Sequence, residues 1–405
     1  VNNIRTLTAA HVVALTMLVS ASPTAGQRKE SRNTRSDEAA LKAIVSATPF
    51  QTNNGLIPPK SIYSGPMFQL SKSWPQQALK PIQDAPWQNA IHGQINASNA
   101  GKYVEALKAY VGANAQKLIF DYSSWDASQA KWYNEPWLGS RREAIHGTYS
   151  AGEFVPGVFP GTGLRATFST HVLTYYDERA AYTTYKLWGA TAMNPDIKTA
   201  NSQFEEGAVV VKLAMFASED PKQPKNWWDA MQGAAEWPLY IGTGSEGQSD
   251  DPKNPQVWPT YIAQFDIIVK DSIAAPKTGW VFSTLVYDKD SPGSNAWDKM
   301  VPLGAMWGND PSVTVPGQPL SENWINPKAP KYSTQTLGWG GRLSGPNDGA
   351  RNAIAVDGKV MESAEDSSCM SCHGPAEWSV QKHRMESFIL PSIQKKFPPP
   401  PSFLA

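Results

Sequence analysis

The chain has 405 residues, 41% of them hydrophobic, enough for one large core or two smaller ones. Lysine plus arginine and aspartate plus glutamate balance at 36 each, so the basic surface that a nucleic-acid partner requires is missing. Beyond the N-terminus no apolar run reaches the length of a membrane-spanning helix, so no transmembrane segment is expected once that terminus is removed.

Residues 1–21 carry one positive charge, Arg5, then an apolar run from Ala9 to Val19, then Val19-Ser20-Ala21. This is the three-part layout of a secretory signal, with cleavage expected after Ala21. Residues 22–37 are polar and charged without apolar periodicity and read as a flexible leader. A body over 38–337 follows. Ala40, Leu41, Ile44 and Val45 share one face of a first helix, with Ser36 or Asp37 as its cap. A second helix is expected over Asn99 to Gln116, where Tyr103, Val104, Leu107, Tyr110 and Val111 recur at helical spacing.

From residue 117 the pattern reads as strands. Lys117 to Tyr122 is a short apolar run. Thr170 to Tyr176 and Ala180 to Trp188 flank Asp177-Glu178-Arg179, which suggests a hairpin. Gly207 to Phe216 reads as a buried strand. Tyr261 to Lys270 alternates, with Tyr261, Ala263, Phe265, Ile267 and Val269 on one face and Gln264, Asp266 and Lys270 on the other. Thr278 to Tyr287 is expected to pair antiparallel with it. Loops are expected at 241–257, 289–296 and 308–337, with a further Gly-rich stretch from Gly338 to Asn352. Strands and helices do not alternate regularly, which argues against a doubly wound parallel sheet. The expected fold is α+β and β-rich: an antiparallel sheet body with N-terminal helices. Residues 338–405 form a short helical or loop segment ending in a proline-rich tail. The 16 tryptophans, dense in Trp125–Trp137 and Trp227–Trp237, are read as packing residues. Glu143, Asp177-Glu178 and Glu205-Glu206 are read as charges on solvated turns.

Both cysteines of the chain lie in Cys369-Met370-Ser371-Cys372-His373. This is a C-x-x-C-H motif, in which two thiols spaced by two residues reach the two vinyl groups of a haem and the next residue binds iron. A zinc site would need a further ligand pair at matching spacing, and a dithiol redox motif a thioredoxin-like context; neither accompanies it. Through this motif, over roughly residues 360–390, the chain resembles the c-type cytochromes. A β-rich body with a C-terminal attachment motif is similar, more loosely, to the cytochromes c-prime-beta.

The resemblance implies one covalent haem c, held by Cys369 and Cys372 with His373 as proximal iron ligand. It also implies attachment outside a bacterial cytoplasm, so a periplasmic or secreted location. Small cytochromes c place the motif near their beginning and a methionine ligand well after it. Here only residues 374–405 follow, so the body is expected to supply part of the pocket. Candidates for the sixth iron position are Met385, Met361, His146, His171 and Met306. The expected function is electron transfer with a redox partner protein. The alternatives are a haem-dependent oxidoreductase with an open distal site for peroxide, oxygen or nitric oxide, and a protein that binds a small-molecule substrate and carries a redox haem.

Overall fold

The computed structural model describes residues 56–69, 74–82, 84–134, 142–188, 202–242, 254–310, 312–313 and 317–334. It also describes the backbone of 352–356, 359–363, 377–379 and 384–387. The expected signal, leader and first helix lie outside the described residues, as do Cys369, Cys372 and His373.

Chain entry is set by a short helix α1 (Pro86–Asn89) and a long helix α2 (Ala100–Phe120). Asn96 opens α2: its side chain accepts the Ser98 N–H at 2.9 Å, while its own N–H donates to Asn99 Oδ1 at 2.7 Å. Such local side-chain bonds compete with helix before its first turn and favour it after. Tyr103, Val104, Leu107, Val111, Ala115 and Leu118 recur at three- and four-residue spacing and are all buried. Each large one contributes roughly 1.5–3 kcal/mol by leaving water. That periodicity runs on to Ile119, so residues 117–120, expected as part of a strand, continue the helix instead.

Strands β1 (Trp132–Asn134), β2 (Tyr149–Phe154), β3 (Phe168–Asp177), β4 (Val209–Ser218) and β5 (Glu236–Ile241) come next. They are followed by β6 (Gln256–Lys270), β7 (Trp280–Tyr287), β8 (Met300–Met306) and β9 (Asn323–Ile325). All nine belong to one sheet, in order β1-β3-β4-β6-β7-β8-β9, with β2 added to β3 and β5 to β6. Every pairing is antiparallel, including β6 with β7, as expected from their alternation.

Two expectations fail here for local reasons. Residues 180–188 are not a strand: Glu178–Trp188 is a helix, α4, after the four-residue helix α3 (Ala127–Ala130). Asp177 accepts the Ala180 N–H at 2.8 Å, a side-chain cap that starts a helix where a hairpin turn was expected. The alternation of β6 is also broken. Register passes from Ala214 opposite Gln264 to Met215 opposite Ile262, so Ala263 is the extra residue of a bulge. Ile262, Phe265, Ile267 and Val269 therefore face α2, while Tyr261 and Ala263 join a different cluster.

The first face of the sheet, with Leu173, Tyr175, Val211, Leu213, Val281 and Leu285, packs against α2. On the second face, Tyr176, Val210, Phe282 and Met306 pack with residues of α4. At the other end of that face, Phe168 and Phe216 pack with Trp227 and Trp228. The described tryptophans are mostly buried, as expected, and two of them close a polar contact: Trp237 Nε1 donates to Ile119 O at 3.0 Å and Trp258 Nε1 to Ser218 O at 3.1 Å. Between residues 338 and 405 the described backbone forms two ladders, Asn352–Val356 with Lys359–Ser363 and Glu377–Ser379 with Arg384–Ser387. Among the described residues no helix is long and apolar enough to cross a membrane.

Candidate functional site

The turn before β2 holds the first candidate ligand, His146. Glu143 organises this turn. Its carboxylate accepts the N–H groups of Ile145 at 2.5 Å and His146 at 2.9 Å, and reaches β5 to accept the Tyr240 N–H at 2.9 Å. Gly147 closes the turn with φ of +76°, and a Cβ there would overlap the Phe68 ring. Arg142 is buried beside it, its guanidinium 5.0 Å from the Phe68 ring centre and 4.9 Å from that of Tyr149.

His146 itself is 3% exposed. Its ring stacks on Trp237, with centres 4.1 Å apart and planes 10° apart, and meets Tyr122 at 4.2 Å. Nδ1 lies 3.0 Å from Pro238 O. A carbonyl only accepts, so Nδ1 carries the proton and Nε2 keeps its lone pair. Burial pushes the imidazole down to about 3 against the Pro238 bond, so the ring is neutral near pH 7. Burial also pushes Glu143 up to about 7, against the backbone N–H groups that favour its charged form. Glu143 is thus a buried organiser rather than a charge on a solvated turn, and Asp177, half-buried, caps α4 rather than standing free in a turn.

His171 lies in β3, opposite Ser150 of β2 and Met215 of β4. Nε2 is 3.2 Å from Ser169 Oγ, and burial lowers its pKa to about 4. Glu219 is raised to about 8 by burial, with the Ser169 hydroxyl working against this and Glu153 adding to it. Serine, histidine and carboxylate are therefore neighbours, but not in catalytic order. A nucleophilic triad needs the acid on the second ring nitrogen of the histidine, whereas Glu219 leans on the serine. Ser169 is also 1% exposed, out of reach of a substrate.

Met306 ends β8, opposite Phe282 and Asn323, and is buried with Tyr176 and Val210 on the second face. His171 alternates with Leu173 and Tyr175, so it points to the first face. These two candidates lie on opposite sides of one sheet and cannot share an iron. Met361 and Met385 occupy register positions opposite Ile354 and Trp378. Among the described residues no group of three or more histidine, cysteine, aspartate or glutamate side chains gathers as a metal site.

The chain was also compared with known proteins. No family model, curated protein or solved structure matches it.

Proposed function

We propose that this chain is an exported electron-transfer protein carrying one haem c, bound through Cys369 and Cys372 with His373 on the iron. The observation that carries this reading is the C-x-x-C-H motif, which uses both cysteines of the chain and follows an N-terminal segment with the layout of an export signal. The bound haem would supply a one-electron redox centre.

For the sixth iron position, His146 fits better than the other described candidates. Metal-binding histidines commonly donate one ring N–H to a carbonyl, which fixes the tautomer and orients the other nitrogen. His146 has that arrangement with Pro238, and Trp237 and Tyr122 hold its ring plane. His171 instead directs Nε2 to Ser169, and Met306 is packed among apolar side chains.

The test is production of the chain with a c-type haem maturation system. Covalent haem should survive a denaturing gel in the wild type and be lost in Cys369→Ala plus Cys372→Ala; retention in that double variant refutes the attachment. Reduced wild-type protein should not change its spectrum with carbon monoxide. His146→Ala should keep the covalent haem and gain a carbon monoxide response. A wild-type protein that binds carbon monoxide at once has an open iron site and moves the haem-enzyme alternative ahead of electron transfer.

A further inference from the structure

A cleft of about 430 Å³ opens where α2, the α3–β1 junction, the β3–α4 junction and the start of β4 meet. That is the size of a small-molecule site, roughly 300–1,000 Å³. Buried Val111, Val209 and Val211 give it an apolar floor, and Tyr110 and Trp132 stand in its walls. Both rings are held by other aromatic side chains. Tyr110 meets Trp87 edge-on with ring centres 4.9 Å apart, and Trp132 meets Trp125 edge-on at 5.8 Å. The walls are therefore in place before a ligand arrives, and ordering them costs little on binding.

The charges of the lining cancel. Lys131 and Arg179 stand against Asp177 and Glu178. Lys131 Nζ is 2.9 Å from Glu178 Oε1. Asp177 accepts the Ala180 N–H at 2.8 Å, is also held by the N–H groups of Val209 and Arg179, and has the Arg179 charge beside it. A ligand with net charge would leave water and meet no unpaired counter-charge.

Two neutral polar atoms are open instead. Asn114 Nδ2 donates to Ala130 O at 3.0 Å. A carbonyl only accepts, so the amide orientation is fixed and Oδ1 is its remaining acceptor. Among the described residues no group donates to that oxygen, and none bonds the Tyr110 hydroxyl. Tyr110 and Asn114 are four residues apart on α2, the spacing that makes side chains neighbours on one helix face, and both line the cleft.

We propose that this cleft binds an uncharged alcohol with an apolar body, the body over Val111, Val209 and Val211 and the hydroxyl at Tyr110 and Asn114. An alcohol oxygen accepts from the tyrosine hydroxyl while its own proton is donated to Asn114 Oδ1. A hydrocarbon of the same shape would cover both polar atoms and replace neither of their bonds to water. The proposal goes beyond the haem reading and stands apart from it, because every residue it uses belongs to the body.

The experiment is calorimetric titration of the full mature chain with 2-phenylethanol, 2-phenylethylamine and 3-phenylpropanoate, which share one apolar body. At about pH 7 the amine is a cation and the acid an anion. The alcohol should bind at least about tenfold tighter than either, since only it enters without an unpaired charge. Tyr110→Phe keeps the ring against Trp87 and removes the hydroxyl. It should retain the far-ultraviolet spectrum and lower alcohol affinity roughly three- to tenfold, the net effect of one neutral hydrogen bond. Absence of alcohol binding, amine or acid binding as tight as the alcohol, or undiminished alcohol binding by a folded Tyr110→Phe overturns the proposal. The comparison of the ligands decides the matter in the wild type should that variant fail to fold. Loss of covalent haem in the cysteine variants would leave this result untouched, so the two readings fail separately.

Discussion

The two faces of the large sheet are covered in different ways. The face under α2 is apolar over its centre: Tyr175, Val211, Ile267 and Val281 cluster with Tyr103, Leu107 and Val111 of the helix, and its polar residues, among them His171 and Ser283, stand singly between them. The other face is apolar only towards its ends, around Phe282 and Met306 and around Phe168 and Trp228. Between them runs a polar row, Thr174–Lys212–Asp266–Thr284, whose members are direct partners on four adjacent strands. Lys212 Nζ is 3.1 Å from Asp266 Oδ2. Asp266 Oδ1 also accepts from Gln264 Nε2 at 2.8 Å and Thr284 Oγ1 at 2.9 Å. Apolar burial on the first face drives folding, whereas a buried ion pair roughly breaks even against hydrophobic replacements. The second face therefore gives up stability for a fixed polar arrangement, and the row pins strand register because a one-residue slip would break every contact in it.

Removing one partner gives the largest effect expected here. Lys212→Met leaves the Asp266 carboxylate buried without a cation and should cost roughly 3–5 kcal/mol in urea denaturation. The double replacement Lys212→Met with Asp266→Leu should recover that loss, ending near or above the wild type. A single variant as stable as the wild type would mean that the pair is not buried in any energetic sense, and the contrast between the two faces would collapse.

Titration gives a comparable but more distributed effect. Glu143, Asp177 and Glu219 are raised to about 7, 7 and 8 in the folded chain, in each case chiefly by burial. The folded protein thus holds protons that the unfolded chain has already released, so stability falls as pH rises from about 4.5 towards 8. For Glu143 alone the full change is on the order of 3 kcal/mol. His146 and His171 act in the opposite sense. Their values of about 3 and about 4 mean that the unfolded chain binds protons first, so stability falls as pH drops from about 6.5. Above about pH 6.5 only the carboxyls still titrate, and denaturation midpoints should decline from there to about pH 8.5. Glu143→Gln should flatten that decline. A midpoint that rises across this range would contradict the buried, poorly compensated carboxyls.

Much of this arrangement was legible in the sequence. The α2 stripe, the alternation of β6 and its pairing with β7 follow from short-range periodicity, which burial enforces residue by residue. The errors arose where one local contact overrides a pattern. Residues 180–188 carry β-compatible side chains, but the Asp177 cap three residues before Ala180 turns them helical; an Asp-x-x-Ala start was the signal available. The bulge at Ala263 swaps faces without any mark in β6 itself, because it depends on pairing with β4. Glu143 could be read as surface charge because its decisive partner, Tyr240, lies far along the chain. The C-x-x-C-H motif is the reverse case, since the haem attachment proposed for it rests on five consecutive residues.

The smallest effect expected is also the sharpest control on the first. Lys225 and Glu236 form an ion pair at 2.7 Å, shorter than that of Lys212 and Asp266. Their side chains are 57% and 40% exposed, against 21% and 9% for the buried pair. Water already solvates both exposed charges, so breaking the pair strands neither of them. Lys225→Ala should change stability by no more than about 1 kcal/mol, and about 1 M salt should erase even that. Lys212→Met should keep most of its cost in the same salt, because a partly buried charge is poorly screened. If the two variants lost stability equally, distance rather than burial would set the worth of an ion pair on this sheet. The polar row of the second face would then need no explanation beyond ordinary surface charge.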